Sequence, residues 1–380
     1  MKQFLLVLFF ALSFTNQDAH ALSPEAEIRF QKAEQGDAEA QYSLSIMFFK
    51  GDHVPKNLTF GMNWLQLSAD QGFAKAQLYL GLIYSKGIKS IRVSLDYEKA
   101  FYWVVKAAEQ GLVEAQFALG AMYYDGIVTP KDDIKAAYWM SKSAEQGYAA
   151  AQNELGMMYL MGLGVQQDNA KALFWYTKAA EQGFAGAQND LGLMYSKGAQ
   201  VKTDLALGAY WFRKAADQGL AIAQYNLATA YNRGEGLPKD TNQAKVWNRK
   251  AAEAGLAQAQ FVLGLQYSLD DDLPKDLEQS FLWIKKAAEQ GHDMAQLMLG
   301  AYYRLGTGVQ TDPIAAYAWL SIAESNGLDC ARHIKMKLEK NMTPNQKKTA
   351  EQLADELKPS QHIQNGEMMN QTNLWMLCKN

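Results

Sequence analysis

The sequence predicts an all-α protein, a right-handed superhelical solenoid of helix–turn–helix repeats. Three observations carry this expectation. Glycine recurs at positions 36, 72, 111, 147, 183, 219, 255, 291 and 327, in steps of 36 residues with one step of 39. A tryptophan stands eight residues before each of these glycines except the first, from Trp64 to Trp319. An aspartate series keeps the same period: Asp96, Asp132, Asp168, Asp204, Asp240, Asp276 and Asp312, with Asn57 in the first copy. A period of this length marks stacked supersecondary units, each of which buries its apolar face only against its neighbours.

Composition supports that reading. The 380 residues carry a net charge of −3, which gives no reason to expect nucleic acid as a partner. The 48% hydrophobic content excludes wholesale disorder. With 29 Gly and only 8 Pro, the chain is punctuated by turns without being broken by proline.

Residues 1–21 are read as a signal peptide. Lys2 precedes an apolar run from Phe4 to Phe14 that is too short to span a bilayer, and Ala19-His20-Ala21 is a small-x-small cleavage signal. The chain after cleavage is expected not to insert in a membrane and to lie in the periplasm or outside the cell. Residues 22–36 are expected to form an N-terminal capping helix, because Ala33-Glu34-Gln35-Gly36 repeats the end of later copies.

Eight repeats fill residues 37–327. Within the fourth, the Asp168 carboxylate can accept orphan backbone N–H groups and so opens a helix. Ala172, Trp175 and Ala179 give that helix an apolar stripe. Gly183 ends it in a left-handed cap. The next helix, which opens the fifth repeat, runs from about Ala185 to Ser196, with Ala187, Leu191, Gly192 and Tyr195 on one face. Gly192 recurs as Gly81, Gly120, Gly156, Gly264 and Gly300, replaced by Ser45 and Ala228 in two copies. Glycine inside a helix costs about 1 kcal/mol, so close helix packing must offset it. An aromatic stands nine residues before most members of the aspartate series; in the second copy the gap is twelve, which places the extra residues within Gly87 to Ser94. Residues 328–358 are expected to be C-terminal capping helices, since a terminal repeat lacks one neighbour. Residues 359–380 are expected to be a flexible tail.

The fourth copy carries Ala151-Gln152, Leu155-Gly156, Tyr159, Gly162-x-Gly164-Val165, Asp168, Lys171-Ala172, Trp175 and Lys178 to Gly183. This pattern resembles the Sel-one-like repeat, a relative of the tetratricopeptide repeat, over about residues 30 to 340. The resemblance implies an α-solenoid acting as adaptor or scaffold for a protein or peptide partner. No Gly-x-Ser-x-Gly elbow and no phosphate-binding Gly-x-x-x-x-Gly-Lys-Ser/Thr motif appears, so neither an enzyme nor a cofactor is expected. Secreted bacterial members of the family act in envelope assembly, host contact or toxin immunity. An immunity protein that neutralises a secreted effector is therefore an alternative reading. A cysteine-rich branch of the family is linked to penicillin binding and weak β-lactam hydrolysis, which is a further alternative, though this chain has 2 Cys in total and no Ser-x-x-Lys.

No metal-ligand spacing appears around His53, His292, His333 or His362. Asp270-Asp271-Asp272 stand where other loops have glycine; their spacing is wrong for an EF-hand, and a solvated loop is the expectation. In an exported chain Cys330 and Cys378 could pair or stay as thiols.

Placement of the first helix along a groove is taken from the resemblance. It sends positions one, five, eight and nine after the repeat glutamine toward a partner. The candidates are Tyr42, Phe49, Phe117, Tyr124, Asn153, Met157, Asn189, Tyr225, Asn232, Phe261 and Arg304. Asn153 and Asn189 are expected to be at least partly exposed, with amides available to a peptide backbone. The aromatics would bury its apolar side chains. The protein is expected to be monomeric.

Overall fold

Most turns among the described repeats are set by local chemistry that recurs from copy to copy. The computed structural model describes residues 24–198, 202–269 and 275–357. Among them are nineteen helices, one 3-10 turn and no strand. The leader, the Asp270-Asp271-Asp272 loop, the tail and Cys378 lie outside the described residues. None of the described helices is long and apolar enough to cross a membrane.

The chain divides into two compact units at Trp175/Tyr176. In the first, α1 (Pro24–Glu34) is followed by three-turn helices: α2 (Ala38–Lys50), α3 (Leu58–Asp70), α4 (Ala74–Lys86), α5 (Tyr97–Glu109), α6 (Val113–Asp125), α7 (Asp133–Glu145) and α8 (Ala149–Met161). The division falls inside α9 (Asn169–Glu181). The second unit continues with α10 (Ala185–Lys197), α11 (Leu205–Asp217), α12 (Ala221–Arg233), α13 (Thr241–Glu253), α14 (Ala257–Leu269), α15 (Leu277–Glu289), α16 (Asp293–Leu305) and α17 (Pro313–Ser325). The last helices are α18 (Asp329–Glu339) and α19 (Pro344–Leu357).

The aspartate series does two jobs. Each side chain caps the helix it opens: Asp132 Oδ1 accepts from Lys135 N at 2.9 Å, and Asp240 from Gln243 N at 2.9 Å. Its own N–H donates to the carbonyl of the aromatic nine residues back, Asp132 to Tyr123 and Asp240 to Tyr231, at 2.9 and 3.0 Å. That main-chain bond closes the loop and accounts for the constant spacing. In the second repeat the added residues are absorbed by a 3-10 turn at Lys89–Ile91 and an isolated Ile88–Val93 bridge, so Asp96 still reaches the Tyr84 carbonyl at 2.9 Å.

A glutamine ladder ties repeat to repeat. The buried Gln41, Gln77, Gln116, Gln188, Gln260 and Gln296 each donate from Nε2 to a carbonyl at the end of the preceding helix pair. Their Oε1 atoms accept from Gln71, Gln110, Gln146, Gln218, Gln290 and Asn326 in the following turn, at 2.7–2.9 Å. Burying an amide is tolerable when both ends are bonded.

Glycine is required where helices touch. A Cβ on Gly192 would come within 2.5 Å of the Phe212 ring, and one on Gly264 within 2.8 Å of Ile284. Gly164 is more demanding: with φ 67°, a Cβ there would lie 1.8 Å from the Asp133 carbonyl oxygen in the preceding repeat. This explains the second glycine of the Gly-x-Gly loop. Gly236 and Gly308 meet the Leu205 and Leu277 carbonyls in the same way.

The tryptophan row is less uniform than its spacing suggests. Trp64, Trp103, Trp247 and Trp319 are buried, whereas Trp175 is only half-buried, with Phe174 edge-on at 5.0 Å. Membership of the apolar stripe therefore does not bury the Trp175 ring completely.

Candidate functional site

The candidate groove residues separate into several environments. Phe117 is 2% exposed, with its ring packed on Tyr148 at 5.3 Å. It is a core residue, and its expected role as a partner-binding aromatic is corrected: Tyr148, at the start of the next repeat, covers it. Asn189 is also buried, against expectation. Its Oδ1 accepts from Asn226 Nδ2 at 2.8 Å and its Nδ2 donates to Asp190 at 3.3 Å, so its amide is consumed within the fold. Asn153 is half-buried, and its Oδ1 accepts no hydrogen bond. Met157, one turn further along α8, is half-buried.

Tyr42 and Phe49 converge on Tyr79 of the next repeat, at 6.4 and 5.8 Å between ring centroids, and form an aromatic cluster in the first unit. Tyr124 is half-buried beneath the Lys131 ammonium, 4.4 Å from the ring centroid. Phe261 stacks on His292 at 4.6 Å. Arg304 is exposed, and so is Cys330.

Tyr225 and Asn232 are brought together. Both line a cleft of about 400 Å³ between α12, α13 and α14. It lies where the sixth repeat, and at one position the seventh, departs from residue types that most other copies keep. The residue after the repeat tryptophan is Leu65, Val104, Met140, Tyr176, Phe212, Ile284 or Leu320 elsewhere, but Asn248 here. Two residues before that tryptophan stands Met62, Phe101, Ala137, Leu173, Ala209, Phe281 or Tyr317, but Lys245 here. Five residues after the glutamine every other copy is apolar, whereas the sixth has Thr229. One position further, methionine is commonest, while the cleft receives Gln266 from the seventh copy. The helix-packing glycine is also replaced, by Ala228.

Asn248 is 3% exposed, so it is a buried amide where the fold otherwise places a large apolar side chain. Its Nδ2 donates to the Ala259 carbonyl at 3.2 Å. Thr229 Oγ1 donates to the Tyr225 carbonyl at 3.0 Å. Lys245 and Gln266 are half-buried, and Asn232 and Arg233 stand exposed at the rim. Arg233 pairs loosely with Glu235 at 3.6 Å. Among the described lining residues two are cationic and none is acidic. The cleft can therefore donate and accept hydrogen bonds along its wall.

Two neighbouring polar atoms are left unbonded. Gln224 Oε1 is buried without a partner because Ala254 stands where the ladder needs a glutamine. Trp247 Nε1 is buried without one as well. Thr229, Lys245, Asn248 and Gln266 were not among the sequence candidates. Each is detectable as a polar exception in a column that is otherwise apolar or aromatic.

Elsewhere in the second unit, burial pushes the Asp190 carboxyl up to about 6, against the opposing effect of the Asn189 amide. The described residues contain no group of three or more His, Cys, Asp or Glu side chains that could hold a metal ion.

The Sel1 repeat model matches residues 38–73, 74–112, 113–148, 149–184, 185–220, 221–256, 257–292 and 293–328. A solved Sel1 repeat protein from Oxalobacter formigenes is 33% identical, covering 87% of this chain and 93% of that one with a TM-score of 0.63. A protective antigen present in uropathogenic Escherichia coli strains, which displays the same repeat fold, is 29% identical over 87% of this chain and 94% of that one, with a TM-score of 0.57. No curated protein matches the chain. Stacked helix pairs of this kind are a scaffold suited to protein–protein interaction. Eight consecutive matches across nearly the whole described chain place it in the Sel1 repeat family.

Proposed function

We propose that the protein is an exported scaffold, periplasmic or secreted, that captures an extended segment of another protein. One observation carries this reading: the sixth-repeat cleft, where Tyr225 and Asn232 meet Thr229, Asn248 and Gln266. Amides and hydroxyls both donate and accept, as the main chain of an extended peptide requires. A volume of about 400 Å³ suits a short segment, not a folded domain. The leader-like residues 1–21 support export. So does the likeness to a protein known as a protective antigen.

Site-specific photocrosslinking in the native cell tests the proposal. A photoreactive residue at Asn232 is expected to give a discrete adduct in the periplasmic or extracellular fraction. The same residue at Lys142, exposed on α7 and not among the residues that line the cleft, is expected to give none. Equal adducts from both positions would place the partner elsewhere. Protein recovered from the cytosol with residues 1–21 intact would overturn export.

A further inference from the structure

We propose that the second unit carries another interaction surface, a row along α11, α13 and α15 that docks an amphipathic helix with an acidic flank from another protein. None of its residues lines the sixth-repeat cleft, so it goes beyond the capture of an extended segment. Two residues after the repeat tryptophan stand Gln66, Val105, Ser141, Thr177 and Ser321 in five copies, but Arg213, Arg249 and Lys285 in three successive ones. The fold itself asks for no charge there, since Val105 fills the place. Each of the three is followed by a lysine that other copies share, here Lys214, Lys250 and Lys286. Six cations thus recur in register, while the same helices end on three carboxylates, Asp217, Glu253 and Glu289. Among the described residues Lys285 alone of the six is ion-paired, to Glu289 at 3.8 Å.

The other five cations lie over neutral rings. Lys250 Nζ stands 4.0 Å and Arg213 Cζ 5.2 Å from the Trp247 ring centroid. Lys286 is 4.1 Å from Trp283, Lys214 5.3 Å from Tyr210 and Arg249 5.7 Å from Tyr267. Arg213 also donates to the Tyr231 hydroxyl. A ring face or a hydroxyl holds a cation in place without cancelling its charge. Because Arg213 reaches from α11 to Trp247 on α13, it also fixes neighbouring members of the row to each other. An apolar row runs beside the cationic one. One turn earlier on the same helices, Tyr210, Val246 and Leu282 are 46–48% exposed, and residues three and four apart share a helix face. Two parallel rows need a partner surface that is itself two rows wide. One face of an extended strand is a single line of side chains, whereas an amphipathic helix offers an apolar stripe with a charged flank. Neighbouring helices lie about 10 Å apart, close to the advance of about seven residues of a partner helix. Each heptad can therefore meet one repeat, its apolar side chain on Tyr210, Val246 or Leu282 and its carboxylate on the cation pair.

Fluorescence anisotropy of the full chain with a synthetic helix tests this. The probe is a three-heptad, acetylated and amidated peptide with a Leu stripe flanked on one side by Glu, compared with its Gln-for-Glu isostere. The acidic peptide is expected to bind at least ten-fold more tightly. Arg249→Ser with Lys285→Ser is expected to erase that preference and keep the circular dichroism spectrum of the parent, because Ser141 and Ser321 fill the same place in other copies. Arg249→Gln alone, which keeps most of the stem, is expected to reduce the preference in part. Lys106→Ser with Lys142→Ser removes the same charge from two exposed lysines of the first unit and is expected to leave the preference intact. An equal loss from that second pair would trace the effect to net charge and overturn the proposal. Equal binding of the acidic peptide and its isostere, or no binding of either, would overturn it as well. Sedimentation of the parent, but not of the Arg249→Ser, Lys285→Ser variant, with phosphatidylglycerol vesicles in the absence of peptide binding would assign the row to an anionic lipid surface instead.

Discussion

The pairing of Ala228 with Asn248 makes a quantitative prediction about what the cleft costs. In five other repeats the residue twenty (in the second repeat, twenty-three) positions before the post-tryptophan side chain is a glycine whose added Cβ would approach that side chain: 2.8 Å for Val104, 3.1 Å for Met140, 2.5 Å for Phe212, 2.8 Å for Ile284 and 2.7 Å for Leu320. Only the small residue lets the large one sit. In the sixth repeat both members change together. Asn248→Leu alone should gain about 1.5–3 kcal/mol from apolar burial. It should lose about 0.5–1.5 kcal/mol with the bond to the Ala259 carbonyl. Crowding against the Ala228 methyl should cost a further 1–3 kcal/mol, roughly cancelling the gain. Ala228→Gly alone should cost about 1 kcal/mol in helix propensity. In the double variant the crowding term disappears. The two substitutions should therefore couple favourably by about 1–3 kcal/mol, well beyond the additivity expected of independent sites. Because repeat arrays open locally, hydrogen exchange of α12 and α13 amides is the appropriate readout for the four proteins of the cycle. Additivity within about 0.5 kcal/mol would refute the packing argument. The first repeat holds Ser45 and Leu65 at these two positions, and there a glycine stands on the second helix instead: a Cβ on Gly61 would lie 3.1 Å from the Ser45 carbonyl oxygen and 3.0 Å from the Phe49 ring.

Asp190 makes stability fall as pH rises. Its carboxyl titrates at an ordinary 3.8 when unfolded and at about 6 when folded, so the folded state holds the proton longer. The Asp190 contribution to stability is fully present below about pH 4 and is lost as pH climbs through about 6; Asp190→Asn should remove that contribution's pH dependence and add about 1–3 kcal/mol at pH 7. A flat stability profile in the parent protein across that range would contradict it. Phe117→Ala should cost about 3–5 kcal/mol and expose α6 to hydrogen exchange, because the ring is core; an unchanged exchange pattern would restore it to the surface. Gly164→Ala should cost more than about 2 kcal/mol, since a positive φ and a carbonyl contact both oppose the methyl; a variant melting with the parent would show that the loop can shift.

The fold was legible because its determinants are short-range and repeated. An aspartate cap, a left-handed glycine and a helix-packing glycine each act within or next to one repeat, so eight copies state them eight times. The candidate site was only partly legible, for a physical reason. Counting positions along one helix says which way a side chain leaves the backbone, not what the neighbouring repeat lays over it. Phe117 and Tyr225 share a column, yet Tyr148 covers the first and the second lines a cleft. Asn153 and Asn189 share it too, but Asn226 takes up the second amide. Exposure at these positions is a property of residue pairs from adjacent copies. The more informative signal was the opposite of variability: Thr229, Lys245, Asn248 and Gln266 are polar exceptions where the other copies are apolar or aromatic, and they converge.

A solenoid is well suited to carrying such exceptions. In a globular core, one buried amide in place of Leu or Phe weakens contacts that the whole domain shares. Here each repeat contacts mainly its neighbours, so the loss stays near α12, α13 and α14. The sixth repeat concentrates several such losses: the Asn248 amide, the unbonded Trp247 Nε1, and the unbonded Gln224 Oε1 left by Ala254. The other glutamines for which ladder bonds are described have a partner on that oxygen. Packing alone gives no reason for one copy to give up a ladder bond, a large apolar side chain and a helix-packing glycine together. A partner that bonds the cleft amides and buries the Tyr225 wall would return part of that stability only when bound. The local weakness of the repeat and its fitness for recognition would then have the same cause.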